Sequence, residues 1–119
     1  MERIRYITAD GKKILFIDLS NCRASEVAQI AQTVPDHVMR LPRSSVLLLV
    51  DFAGASFDPE TIRTVKETAV FDKPYIKKAA WIGSGTTLDS LATQIGHFSR
   101  RQFPIFNGFQ EAVTWLIRD

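Results

Sequence analysis

The chain has 119 residues, of which 45% are hydrophobic and 24% are charged, so intrinsic disorder is excluded and a single folded domain over residues 1–119 is expected. The formal net charge of +2 comes from 15 basic and 13 acidic residues spread along the chain. This balance lacks the clustered basic excess of a nucleic-acid-binding surface, and we expect no nucleic-acid partner.

Cysteine usage and hydropathy predict the cellular location. Cys22 is the only cysteine and cannot form an internal disulfide, which suits a reducing compartment. The longest apolar run, Val46–Val50, is too short to cross a bilayer, and residues 1–5 lack the apolar core of a signal peptide. We expect a cytoplasmic protein without stable membrane insertion.

The first predicted elements are strands. Ile14–Leu19 is apolar and is bounded by Gly11 and Asn21, which indicates a buried strand. Residues 3–8 predict an additional edge strand before it. Asp10 and Gly11 would then form the hairpin turn between the two strands.

A helix is predicted next, with Ser25 as its N-cap. Its apolar positions recur at helical spacing: Val27, Ile30, Ala31, Val34, Val38 and Leu41. Pro35 interrupts this stripe without changing its phase. The pattern predicts a kinked helix or two abutting segments that end before Pro42.

Val46–Val50 is apolar on both faces, as expected of a central strand that is covered on two sides. Asp58-Pro59-Glu60 predicts a helix start, because a cap, a proline and an acid stand in the order that helix N-termini favour. Its buried face comprises Ile62, Val65 and Ala69, and Lys73-Pro74 ends it.

The last third of the chain repeats the strand-then-helix pattern. Ala79–Ile82 predicts a third strand, and Thr86 followed by Asp89 predicts a capped helix. Residues 103–106 predict a fourth short strand. Asn107 with Gln110 is expected to cap the final helix, whose buried face comprises Ala112, Val113, Leu116 and Trp115.

Four strand-then-helix units predict an α/β domain with a mainly parallel four-stranded sheet, an extra N-terminal edge strand and helices covering the sheet. Functional sites in such sheets form at the carboxyl ends of the strands. Four loops are expected there: residues 18–21, 51–58, 83–87 and 107–108.

Two features of these loops have both a functional and a structural interpretation. Asp18 and Asp51 could bind a cation or share a proton, but we favour each accepting backbone N–H bonds within its own loop. Gly83-Ser84-Gly85-Thr86 precedes a helix and could hold an anion, but it lacks a complete phosphate-binding motif and favours a tight turn.

No complete catalytic or metal-binding pattern is present in the sequence. The Gly-x-Ser-x-Gly motif is missing, and Cys22, His37 and His97 do not have metal-ligand spacing. We therefore expect no enzymatic activity, no catalytic residue, no bound metal and no cofactor.

Several blocks together give the chain a family resemblance. They are Gly11–Asp18, Ser44–Asp58, Asp72–Lys77 and Phe106–Leu116. With these blocks the chain resembles the SpoIIAA-like family, also described as STAS/SEC14-type bacterial domains. The resemblance implies a four-turn β-α superhelix.

The resemblance also implies two kinds of function. STAS members act as anti-sigma-factor antagonists that bind a partner kinase and are switched by a phosphorylated serine after the central strand. Here Asp58-Pro59-Glu60-Thr61 stands at that place, and Ser56 and Thr61 are the nearest hydroxyls. Other relatives carry lipids in an apolar cavity.

We therefore expect a non-enzymatic protein-interaction or regulatory module without the usual phosphoserine motif, with a small carrier of a lipid or other apolar ligand as the alternative. The partner would be another protein or an apolar small molecule, and a homodimer is compatible with the sequence. The predicted binding surface comprises Asp51, Ala53, Ser56, Asp58, Thr61, Gly83, Ser84, Gly85 and Thr86.

Overall fold

The computed structural model describes residues 2–99 and 103–118. Five strands form one sheet: β1 (Ile4–Ala9), β2 (Lys12–Asp18), β3 (Val46–Asp51), β4 (Ile76–Ile82) and β5 (Ile105–Phe106). Four helices follow β2 to β5 in turn: α1 (Ala24–Val38), α2 (Pro59–Asp72), α3 (Thr86–Ser99) and α4 (Phe109–Ile117). A short 3₁₀ turn at Lys73–Tyr75 separates α2 from β4.

The strands lie side by side in chain order, and only β1 runs antiparallel to its neighbour. The predicted α/β class, the mainly parallel sheet and the additional N-terminal edge strand are confirmed. Asp10 and Gly11 have φ values of 48° and 74°, as a two-residue hairpin turn between twisted strands requires. This hairpin sets the register that pairs Ile4 with Ile17.

α1 differs from its prediction at both the cap and the proline. The helix begins at Ala24, and Arg23 rather than Ser25 occupies the cap position, where its N–H donates to Glu26 Oε1 at 3.0 Å. Pro35 lies inside one continuous helix, so the alternative of two abutting segments is wrong. Val38 is the last helical residue, before Pro42 as predicted.

The starts of α2 and α3 depend on local hydrogen bonds. α2 begins as predicted, because Asp58 accepts the N–H of Thr61 at 2.7 Å and Pro59 is the first helical residue. Thr86 is itself helical, and the carbonyl of Gly85 before it accepts the N–H of Asp89 at 3.1 Å. Thr86 is therefore not the cap.

The last two predicted boundaries also shift. Gly108 precedes α4 without a side-chain cap, so the predicted cap by Asn107 and Gln110 is wrong. β4 begins at Ile76, which pairs with Val46, three residues before the predicted start. The prediction began later because two lysines follow Ile76 and interrupt the apolar pattern of the strand. β5 contains only Ile105 and Phe106, the two residues that pair with the end of β4.

The two faces of the sheet support two separate hydrophobic clusters. On one face, α1, α2 and α3 pack on alternate strand residues that include Leu15, Leu48 and Trp81. On the other, α4 packs on the intervening residues, such as Phe16 and Leu49. This alternation explains why β3 is apolar from Val46 to Val50. None of the described helices has the length and hydropathy of a membrane span.

Candidate functional site

At the carboxyl edge, the two candidate aspartates stand side by side in register on β2 and β3. Asp18 Oδ1 accepts the N–H of Ser20 at 3.0 Å and lies 3.6 Å from an Arg3 guanidinium nitrogen. Asp51 Oδ1 accepts the N–H of Ala53 at 2.9 Å. Each carboxylate therefore serves its own loop, and no cluster of three His, Cys, Asp or Glu side chains suited to a metal occurs in residues 2–99 and 103–118.

The loop after β3 has a hydrogen-bonded backbone and several exposed side chains. Its backbone pairs with the loop after β2: the N–H of Asn21 donates to the Ala53 carbonyl at 2.8 Å, and the N–H of Ser56 donates to the Cys22 carbonyl at 2.9 Å. Gly54 has a φ of 71°, and the Asn21 side chain occupies the space of its absent Cβ. Ala53 and Ser56 remain exposed.

Asp58 and Thr61 form a helix cap. Both the N–H and the hydroxyl oxygen of Thr61 lie 2.7 Å from Asp58 Oδ1. These contacts, with the backbone N–H first, lower the pKa of Asp58 from its usual value. Thr61 is buried, and its hydroxyl also lies 3.0 Å from the Ala24 carbonyl oxygen. The hydroxyl is therefore engaged inside the fold, whereas that of Ser56 faces solvent.

The Gly83–Thr86 turn adjoins this loop, because the N–H of Phe52 donates to the Ile82 carbonyl at 2.8 Å. Gly83 and Gly85 have φ values of 150° and 111°, and a Cβ at Gly83 would lie 2.7 Å from Leu88. The turn thus requires glycine for geometry. Ser84, Gly85 and Thr86 are exposed.

A depression of about 370 Å³ lies beside this turn, between α2 and α3. Its wall comprises Ile62, Thr86, Thr87, Ser90, Leu91 and Gln94. Of the predicted surface residues, the depression includes Thr86. Asp51, Ala53, Ser56, Gly83 and Ser84 lie on the adjoining loops. The predicted residues are thus gathered at one edge of the sheet, apart from the buried Thr61.

An apolar cavity of about 70 Å³ lies elsewhere, between the sheet, α1 and α2. Its wall is formed by Ile17, Leu19, Ala31, Val34, Leu48, Val50, Phe52, Val65, Thr68, Ala69, Asp72, Lys73, Ile76, Ala79, Trp81 and Phe103. Small side chains at Ala31, Ala69 and Ala79 leave this space unfilled. Lys73 is exposed, so the wall reaches the protein surface at the end of α2. None of the predicted surface residues contributes to it.

Asp72 is the exceptional residue of this wall. It is the last residue of α2 and is only 5% exposed, and its Oδ1 atom has no hydrogen-bond partner. The nearby Thr68 hydroxyl donates to the Val65 carbonyl at 3.0 Å instead. Burial raises the pKa of the Asp72 carboxyl from 3.8 to about 7. Buried polar groups are almost always paired, so the unpaired Oδ1 atom makes Asp72 a candidate functional residue.

Sequence reasoning missed Asp72, although a signal for it exists. Ile62, Val65 and Ala69 define the buried face of α2, and Asp72 follows three residues after Ala69 at the same helical spacing. An acid that continues an apolar stripe is expected to be buried.

Comparison with solved structures identifies the fold. The chain is similar to the crystal structure of an uncharacterized DUF3478-family protein with a SpoIIAA-like fold from Shewanella loihica PV-4. The TM-score is 0.74 at 14% sequence identity, and the match covers 95% of this chain and 91% of that one. This chain therefore has a SpoIIAA-like fold.

Sequence comparisons add no family or activity. No protein-family model matches the chain. No curated protein matches it either. Function must therefore be argued from the site.

Proposed function

We propose that this protein is a non-enzymatic binding module that takes up an apolar group of a small ligand in the cavity between the sheet, α1 and α2. The observation that carries the proposal is the cavity itself, whose wall is apolar except for a few groups around Asp72. Ligand sites in proteins commonly combine an apolar wall with a few polar groups that fix orientation.

The position of the cavity supports this role over a packing defect. Protein interiors are close-packed, and voids larger than a water molecule are few. Here the space coincides with a buried unpaired carboxyl group at a point where the wall reaches the surface. A packing defect alone would not explain a buried carboxyl oxygen without a hydrogen-bond partner in that wall.

The proposal is tested by native mass spectrometry of the protein purified from cells and of the protein incubated with a small-molecule cell extract. Ala69→Leu places a larger apolar side chain in the cavity, whereas the matched Ala53→Leu adds the same atoms on the exposed carboxyl edge. We expect wild type and Ala53→Leu to retain a small molecule that Ala69→Leu does not. A bare mass for folded wild type under both conditions would contradict the proposal.

A second candidate function is protein binding through the carboxyl edge. The exposed residues Ala53 and Ser56 and the depression beside Thr86 favour it, because they lie at the same edge of the sheet and none of these three residues contributes to the cavity wall. Such a module would regulate its partner without chemistry, and the partner could be a second copy of this chain.

Two arginine substitutions test this second candidate. Ala53→Arg places a charge on the proposed surface, and Gln32→Arg places one on the exposed side of α1. In pull-downs and sedimentation experiments, Ala53→Arg should lose a partner or self-association that wild type and Gln32→Arg keep. Identical behaviour of all three proteins would remove the carboxyl edge from consideration.

A further inference from the structure

The cavity wall contains a hydrogen-bond acceptor that the chain leaves unused. Asp72 Oδ1 is buried without a partner, and the residue is only 5% exposed to solvent. Since folded proteins satisfy nearly all buried polar atoms, this oxygen marks a place for a donor that comes from outside the chain.

The charge around Asp72 favours a cationic donor. The last turn of α2 contains no basic residue, and a helix C-terminus carries a negative partial charge. No ion pair to Asp72 is found within the described ranges of the chain. The Asp72 carboxyl group thus lies at a helix C-terminus where the side chain of the following residue, Lys73, is exposed and, among the described residues, none bonds to Asp72 Oδ1.

The C-terminal end of α4 shows how this chain compensates such a position elsewhere. Lys12 Nζ donates to the Ile117 carbonyl at 2.8 Å, and Lys78 Nζ donates to the carbonyls of Trp115 at 2.7 Å and Arg118 at 2.9 Å. Two ammonium groups therefore neutralise that helix end. An ammonium group from a ligand would perform the same task at α2.

The size of the cavity limits the rest of the ligand. Its 70 Å³ is about half the volume of an engineered apolar cavity that binds benzene, which is roughly 150 Å³. A short branched alkyl group fits such a space, and a larger ligand would extend past Lys73 toward solvent. The apolar wall would exclude water from the ion pair and strengthen it.

We infer that the cavity recognises a primary ammonium group carried on a short alkyl chain, with Asp72 Oδ1 accepting a hydrogen bond from the ammonium nitrogen. The inference rests on the proposed function and names the chemical class of its ligand. No bond is formed or broken, so recognition consists of one charge-assisted hydrogen bond and burial of the alkyl group.

The test is an NMR titration of backbone amides at pH 8 with isobutylammonium and, separately, with isobutanol, which has the same shape and no charge. Wild type should bind isobutylammonium roughly 10- to 100-fold more tightly, as expected for a hydrogen bond to a charged group. The affected amides should include those of Ala69 and Ile76 in the cavity wall. Asp72→Asn should bind both compounds equally.

Two further variants keep the test decisive. Asp51→Asn removes a half-buried carboxylate at the carboxyl edge and should retain the full preference for the ammonium compound. Ala69→Leu fills the cavity while Asp72 stays in place, and it should abolish binding of both compounds even where Asp72→Asn fails to fold.

The outcomes separate this inference from the proposed function. If isobutanol moves the cavity amides as strongly as isobutylammonium does, or if the preference survives in Asp72→Asn, the ammonium inference is wrong and apolar binding stands. If Asp51→Asn loses the preference for isobutylammonium as fully as Asp72→Asn does, the preference reflects overall charge, and the inference is also wrong. If neither compound moves the cavity amides of the folded wild type, both proposals fail.

Discussion

The two faces of the sheet use the same kinds of residue to different ends. On the α4 face, Leu49 is fully buried, and lysines from β2 and β4 donate hydrogen bonds to carbonyls at the helix C-terminus. On the face covered by α1, α2 and α3, a cavity remains, and the Oδ1 atom of Asp72 at the end of α2 has no hydrogen-bond partner. The two faces therefore differ at a helix C-terminus: lysines donate to the carbonyls at the end of α4, whereas a buried carboxyl oxygen at the end of α2 is left for the ligand that we propose.

The largest expected effect compares adjacent leucines of β3. Leu49→Ala removes a side chain from the packed face and should lower the free energy of unfolding by about 3–5 kcal/mol. Leu48→Ala enlarges a cavity that already exists, so fewer contacts are lost and the cost should be about 2–3 kcal/mol. Urea unfolding of both variants measures the difference, and a larger cost at Leu48 would contradict the comparison.

A pH-dependent stability difference is expected from Asp72. Its folded pKa is raised from 3.8 to about 7, so the folded protein binds the proton more tightly than the unfolded chain does. The folded state therefore loses stability as the pH rises through this window, and the loss is complete above about pH 7. Each pK unit corresponds to about 1.4 kcal/mol, which sets an upper limit of about 4 kcal/mol.

Asp72→Asn removes this titration. Relative to wild type, the variant should gain stability between pH 4 and pH 8, by up to about 4 kcal/mol. Urea unfolding at both pH values gives the difference in unfolding free energy between the variant and wild type. The change in this difference from pH 4 to pH 8 is the test, because the cost of burying an amide is the same at both pH values and cancels. Parallel stability profiles for the two proteins would show that the carboxyl group is hydrated or paired.

A smaller effect is expected at the end of α4. Lys78→Met removes two hydrogen bonds to carbonyl oxygens and an ammonium group that lies 4.3 Å from the centre of the Trp115 ring. We expect a loss of about 1–2 kcal/mol in thermal or urea unfolding. Lys13→Met on exposed β2 surface is the control and should change stability by less than about 0.5 kcal/mol. Equal effects would mean that the lysine cap contributes little.

The sequence predicted the fold well because its signals are local. The apolar run at Val46–Val50, the Asp58-Pro59 helix start and the Asp10-Gly11 turn each indicate one element, and strand-helix alternation then limits the topology. Cap positions were less predictable: at Arg23 the backbone N–H bonds to the Glu26 side chain, and Gly108 precedes α4 without any side-chain cap. Which residue occupies the N-cap position depends on the hydrogen bonds that nearby side chains can make.

Part of the candidate site could likewise be predicted from the sequence, and part could not. Loop residues such as Ala53 and Gly83 could be placed at the carboxyl edge from topology alone. The cavity could not be predicted, because it depends on how Ala31, Ala69 and Ala79 face one another across three elements. Asp72 is an intermediate case, since its place on the α2 stripe predicts burial but not the absence of a partner.

The most direct measurement of the central claim is a ¹³C NMR titration of the Asp72 side-chain carboxyl group, with and without saturating isobutylammonium. Our account predicts an apparent pKa of about 7 in the free protein and a clearly lower pKa with the ammonium compound, because an adjacent cation favours the carboxylate. A pKa near 3.8 in the free protein, unchanged by the compound, would contradict it.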